Sequence, residues 1–273
     1  MAGFDTSGNK DSEDEISSFE DLKNFTRNAR SDFGDQKLDI GIYGREKTGK
    51  SHFGLSAPDP ILYIDTEGGT KAIEGKFADK DIRIAEISEA GSDFKEDKIK
   101  TWERFDQIVR QAVEHEDEIE TVVVDSGSDI WESVRAWCKD KLWNKAPEEK
   151  LDQQWDWGEI NSRYTNALRK LVQADFNLIF TARGKPEYES AGNPTGNYDP
   201  DWQRKTGHWM TVVVENQKRW VGENNDKKEL YSVIESSRFD GQGEDTVMGT
   251  EITWMEFDDL LEVIKKAQEM GDE

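Results

Sequence analysis

"IGIYGREKTGKSHFGL", residues 40–55, decides the fold, because it joins a β-forming run to a helix start through a loop with a glycine at either end. Gly44, Gly49, Lys50 and Ser51 satisfy the spacing G-x-x-x-x-G-K-[ST]. The glycines let successive backbone N–H groups curl around a phosphate, and Lys50 supplies a mobile positive charge for the terminal phosphates. Ser51 offers its hydroxyl to Mg²⁺, and the start of the following helix adds the positive end of its dipole. The candidate nucleotide contacts are therefore Gly44, Arg45, Glu46, Lys47, Thr48, Gly49, Lys50, Ser51 and His52. LDIGIY reads as a strand and SHFGLS as a helix start, the context this motif requires.

A second signal lies at "ETVVVDSGSDIW". Its β-branched run delivers Asp125 to the C-terminal end of a strand, where open α/β sheets bind ligands. A carboxylate there can hold the magnesium shell opposite Ser51, so Ser51 and Asp125 are the metal candidates. Ser126 follows Asp125, so a base for an attacking water must come from elsewhere. "PILYIDTEGGTKAI" offers one: a strand at 61–65 ends in Asp65, with Glu67 just beyond it and two glycines allowing close approach. Asp65 also suits a capping role. Lys50, Glu67 and Asp125 form the candidate catalytic set.

Working outward, short apolar runs alternate with helix-period segments, which predicts an α/β protein with a mainly parallel sheet. Strands are expected at 38–43, 61–65, 81–87, 120–125 and 177–182, and helices at 49–56, 100–114, 128–142 and 158–174. Beyond residue 208, "WMTVVVENQKRWVG" and "KKELYSVIESSRF" flank the turn-like "ENND" and predict antiparallel strands on the sheet edge, followed by a closing helix in "EFDDLLEVIKKAQEM". The expected organisation is an acidic, disordered tail at 1–18, a docking helix and linker at 19–36, and one domain carrying the phosphate loop at 37–273. The stretch 143–157 reads as a surface insertion, and Trp131, Trp137 and Trp143 do not share one helical face.

The chain has 273 residues, with 36 basic against 59 acidic, a net charge of −23. Such a surface repels phosphate and anionic lipid on average, so any nucleic-acid contact must be local. Cys138 is the lone cysteine, which excludes an intramolecular disulfide and suits a reduced, buried thiol. No apolar run reaches the length of a bilayer span and the N-terminus lacks signal-peptide features, so a cytoplasmic protein without membrane contact is expected.

With Gly44 to Ser51, "YIDTEGG" at 63–69, "VVVDS" at 122–126 and "LIFTARG" at 178–184 in place, the chain resembles the RecA/RadA recombinase core, specifically the small RecA-like ATPases of phages and mobile elements that anneal single strands. The likeness spans about residues 37–265 and implies a RecA-like P-loop NTPase fold with C-terminal antiparallel strands. By resemblance, Glu67 activates water, Asp125 supports magnesium, ATP and Mg²⁺ are the cofactors, and the protein works on single-stranded DNA as a homo-oligomer, with a single-strand-binding protein as a further partner. The family's γ-phosphate sensor falls at Thr181 or Arg183, where the sequence departs from RecA's glutamine.

The family's DNA-binding loop corresponds to residues 184–209, long, rich in glycine and proline, and expected to lack regular structure. Its candidates are Lys185, Tyr188, Tyr198, Trp202, Arg204 and Lys205, since aromatic rings among cations suit stacked bases and phosphates. Glu187, Glu189, Asp199 and Asp201 weaken that field, and a nucleotide lid or partner contact is the other reading. A neighbouring protomer's cation in the site would be Lys205, Arg219 or Arg238. "GFDTSG" at 3–8 places Phe4 where RadA-type protomers carry a tether, with Ser7 in place of alanine. A helicase or packaging motor shares this core, a small-molecule kinase shares the loop, and a nucleotide-switched interaction protein without DNA fits the charge.

Overall fold

The computed structural model describes residues 36–88, 93–145, 150–151, 154–190, 192–222, 224, 226–239 and 246–270. The tail, the docking helix and the Phe4 tether lie outside the described residues, as does part of the 143–157 stretch.

Nine strands form the sheet among these residues: β1 Asp39–Gly44, β2 Ile61–Asp65, β3 Ile82–Glu86, β4 Thr121–Asp125, β5 Asn177–Tyr188, β6 Pro194–Pro200, β7 Val212–Val221, β8 Lys227–Ser237 and β9 Glu251–Thr253. Their order is β3-β2-β4-β5-β1-β7-β8-β9, with β6 paired to β5. From β3 to β7 every neighbour is parallel, and β8 and β9 add antiparallel pairs at the far edge. The architecture is thus α/β, mainly parallel with antiparallel C-terminal strands, as the alternating pattern predicts. The central strands read as near-continuous β-branched runs because helices cover both faces. Val122, Val123 and Val124 are all buried.

The helices are α1 Lys50–Ser56, α2 Phe94–Glu114, α3 Gly127–Trp137, α4 Gln154–Gln173 and α5 Phe257–Met270. On one face Trp102, Phe105 and Val109 of α2, Ile130 and Val134 of α3, and Ile160, Tyr164 and Leu168 of α4 pack on Val122, Val124, Leu178 and Phe180. On the other, α1 and α5 meet through Phe53 and Phe257, whose rings lie 6.1 Å apart. Helix α3 stops short of its expected end and passes into a π-helical turn at Cys138–Leu142. Cys138 is buried, and burial pushes its thiol up to about 11, as an inert core cysteine requires. Trp131, Trp137 and Trp143 are partly buried against the core.

One expectation is overturned. The stretch after residue 184 is not irregular: β5 runs on to Tyr188 and returns as β6, pairing Gly184 with Pro200 and Lys185 with Asp199. Its prolines hid the strands in the sequence, yet they are tolerated here because β6 is an edge strand. The continuation from a core strand supplies the order that local propensity lacks.

Candidate functional site

Each piece of the site sits at the C-terminal edge of the parallel strands, where the topology reverses around β1. The loop after β1 turns with Lys47 at φ 58° and Gly49 at φ 92°, left-handed geometry that glycine adopts without cost. Thr48 ties it internally, its Oγ1 donating to the Arg45 carbonyl at 2.8 Å, and Asn216 of β7 donates to the Thr48 carbonyl at 3.0 Å. Gly44 has no room for a Cβ, which would stand 2.2 Å from the Asn216 carbonyl oxygen. Inside the turn the Lys50 ammonium donates to the carbonyls of Gly44 and Arg45 at 3.0 and 2.8 Å. Burial lowers its pKa, against the pull of Asp125 and Glu67.

Ser51 donates to Asp125 Oδ2 at 2.6 Å, so the two metal candidates, 74 residues apart in sequence, touch. Tyr63 of β2 donates to the same oxygen at 2.6 Å, and Thr181 of β5 donates to Oδ1 at 2.5 Å. One carboxylate and one hydroxyl, both oxygen donors, fit a hard cation that completes its shell with water and substrate phosphates. No cluster of three or more metal-ligating acids, histidines or cysteines exists among the described residues.

Glu67 stands beside this pair on a turn built by Asp65. Both Asp65 oxygens are occupied: Oδ1 accepts the amides of Glu67 and Gly68 at 2.9 and 2.7 Å, and Oδ2 accepts the amide and hydroxyl of Thr70. Asp65 is therefore a capping residue that presents Glu67. The Glu67 carboxylate accepts from Arg183 Nε at 3.0 Å and from the Ser126 hydroxyl at 3.2 Å. Burial and then Asp129 push its carboxyl above the usual range, with Arg183 opposing.

Arg183, at the end of β5, also reaches Asp129 Oδ1 through Nη2 at 2.5 Å. Asp129 lies in the first turn of α3, and Lys98 of α2, itself buried, donates to the same oxygen. Thr66 and Ser126 hydroxyls donate to Oδ2 at 3.1 and 3.2 Å. Burial alone would raise this carboxyl, yet the bonds from Arg183 and Lys98 hold it down at about 2. Tyr63, Lys98 and Asp129 escape a sequence reading. Asp129 resembles any acid at a helix start, and Lys98 and Tyr63 have no motif around them.

The remaining candidates divide. The His52 ring stands edge-on to the rings of Phe77 and Trp254 at 5.0 and 5.1 Å and 3.9 Å from Glu256, so its side chain packs among them. Trp202 is corrected: it is 7% exposed, packed with Tyr43 and Phe180 and filling the space over Gly41, so it cannot stack on a base. An aromatic next to Arg204 and Lys205 reads equally well as core or surface, and here burial wins. Tyr198 is half-buried beneath the Arg45 guanidinium, 5.5 Å from its ring centre. Lys185, Tyr188, Arg204 and Lys205 are exposed on or just beyond the hairpin.

Glu46 and Lys47 are exposed on the loop, with Glu46 3.8 Å from Lys218. Arg219 is held by Glu229 and Glu251 at 2.8 and 2.7 Å, and Arg238 donates to the His208 carbonyl at 2.5 Å. A hollow of about 230 Å³ lies between the loop, the hairpin and β7, lined by Arg45, Thr48, Asn197, Tyr198, Asn216 and Lys218 among others.

No helix among the described residues is long and apolar enough to cross a membrane. A search of curated proteins found no match. A family profile described as an AAA domain matches residues 36–240, about three quarters of the chain. That span holds the phosphate loop, the Ser51–Asp125 pair, Glu67 and Arg183, and it carries the coarser part of the resemblance without the recombinase specificity. The chain belongs to the AAA domain family, with the nucleotide-binding core of a P-loop ATPase.

Proposed function

We propose that this protein is an Mg²⁺-dependent ATPase that binds single-stranded DNA and promotes annealing or recombination as an oligomer. The observation that carries the enzymatic half is the meeting of Lys50, Ser51, Asp125, Glu67 and Arg183 at one sheet edge. Lys50 would exchange its carbonyl partners for the β and γ phosphates, while Ser51 and Asp125 hold the cation. The cation supplies charge neutralisation for the transferring phosphoryl group. Glu67 orients a water and takes its proton. Of the two sensor candidates, Thr181 is spent on Asp125, so Arg183 is the one that reads the γ-phosphate, leaving Glu67 as it does so.

The hairpin β5–β6 supports the DNA half. It begins at Arg183, and Gly184 lies so close to the phosphate loop that a Cβ there would stand 3.1 Å from the Gly44 carbonyl carbon. Lys185 and Tyr188 stand exposed along it, the pairing of cation and ring that single strands use. Lys205, Arg219 and Arg238 remain the candidates for a cation supplied by a neighbour, with Arg219 already engaged in ion pairs.

The net charge of −23 favours a second reading, a nucleotide-switched interaction protein without DNA. One experiment separates them: ATP turnover measured across a protein concentration series, with and without single-stranded DNA, beside Lys50→Ala. Turnover that rises with DNA and with protein concentration, and is lost in Lys50→Ala by about 100-fold or more, is expected. Turnover indifferent to DNA at low salt supports the switch, and a Lys50→Ala variant at the parental rate refutes the site.

A further inference from the structure

Tyr63 is fully buried, and its one polar atom is aimed at the carboxylate assigned to the cation. On β2 it faces Val123 of β4 in register, two residues before Asp65 faces Asp125, so its ring and Asp125 share one side of the sheet. Helix α1, which follows the phosphate loop, makes room for that ring with Gly54. A Cβ at Gly54 would stand 2.8 Å from Val123 Cγ1 and 3.3 Å from Tyr63 Cε2. Glycine within a helix is less favourable than alanine by about 1 kcal/mol, so the close seating of α1 on Val123, and next on the Tyr63 ring, outweighs a helix preference.

The phenol also differs from the other donor on Oδ2. Ser51 is itself a candidate to hold the cation, so its bond to Asp125 would be given up or shared on binding. Tyr63, buried on β2, meets the Ser51 hydroxyl as well as Asp125 and is not itself one of the cation candidates. We propose that Tyr63 is a positioning residue for the Mg²⁺ site: its hydroxyl fixes the Asp125 carboxylate, so that the oxygen shared with Ser51 stays turned toward the cation. Thr181 pins the other oxygen from the opposite neighbour, and together the two hydroxyls hold the carboxylate in one orientation. Partners that orient a metal-holding carboxylate typically contribute about tenfold to a hundredfold in metal affinity or activity. This inference rests on the nucleotide reading above.

The test uses the full chain, with Tyr63→Phe, which keeps the ring and its packing and removes one hydroxyl. ATP affinity is measured first in EDTA and then across a Mg²⁺ titration. The expected result is EDTA affinity within twofold of the parent, with a Mg²⁺ half-saturation raised about tenfold. The EDTA arm reports that the loop is intact, because a merely misfolded variant loses metal-free binding as well. A variant whose Mg²⁺ half-saturation lies within twofold of the parent, or whose EDTA affinity falls as far as its Mg²⁺ affinity, overturns the positioning role while leaving the nucleotide site standing. A parent that binds no ATP in either arm overturns the nucleotide reading, and this inference with it.

Discussion

Asp129 joins the two helices behind the site to the end of β5, with a side chain only 7% accessible. It carries two cations, Lys98 and Arg183, on one oxygen and two hydroxyls, from Thr66 and Ser126, on the other. Asp129→Asn removes the charge and sets an amide donor against one of these donor pairs. Breaking a buried ion pair from one side costs about 3–5 kcal/mol. Lys98 keeps Glu132 at 3.2 Å, and Arg183 is half in solvent, which puts the expected cost near the lower figure, about 3 kcal/mol.

Chemical denaturation followed by tryptophan fluorescence measures it. The decisive companion is Lys98→Met with Asp129→Leu. The double variant removes the buried ammonium together with its carboxylate and leaves Arg183, half in solvent, with Glu67, so it should cost clearly less than Asp129→Asn alone. An Asp129→Asn cost below about 1 kcal/mol, or a double variant no better than the single, refutes the assignment. The acid limb of stability follows from the same group. Its folded pKa of about 2 lies below the usual 3.8, so its contribution is complete above about pH 4 and disappears as pH falls through about 2. The amount is about 2 kcal/mol.

Glu67→Gln should keep ATP affinity and lose turnover by about 100-fold or more, and equal turnover in a stopped-flow assay moves the base elsewhere. The raised pKa of Glu67 gives the parent a pH–rate profile whose acid limb lies above the usual carboxylate range, with rate falling as pH drops and the base takes up a proton; a limb near pH 4 contradicts this. Gly127→Ala should lower stability by about 2 kcal/mol in thermal or denaturant unfolding, because the added Cβ would stand 1.9 Å from Phe180 Cε1, and an unchanged midpoint denies that close packing.

The phosphate loop could be read directly, because strand, loop and helix start are consecutive and their chemistry depends on local spacing. Asp125 could be read for a similar reason, from the β-branched run before it. The contact of Thr181 with Asp125 could not, since only the sheet order shows that β5, the neighbour of β1, also adjoins β4. Asp129 and Lys98 lie 31 residues apart on different helices, and no periodicity records that contact. Trp202 misleads because indole burial depends on what the chain folds over it, here the open space above Gly41. The hairpin at 184–200 misleads for the opposite reason: its residues are poor strand formers, and pairing inherited from β5 overrides them.

Strand β5 holds Thr181 level with Ile42 and Arg183 level with Gly44. Side chains along a strand alternate in direction, so sliding β5 by one residue would offer the methyl of Ala182 to Asp125 and swing the guanidinium to the far side of the sheet. Both contacts would vanish together although no functional side chain had changed. Substitutions deep under β5 that loosen its seating can therefore silence the site from a distance, and should be sorted from direct losses before any residue is credited with chemistry.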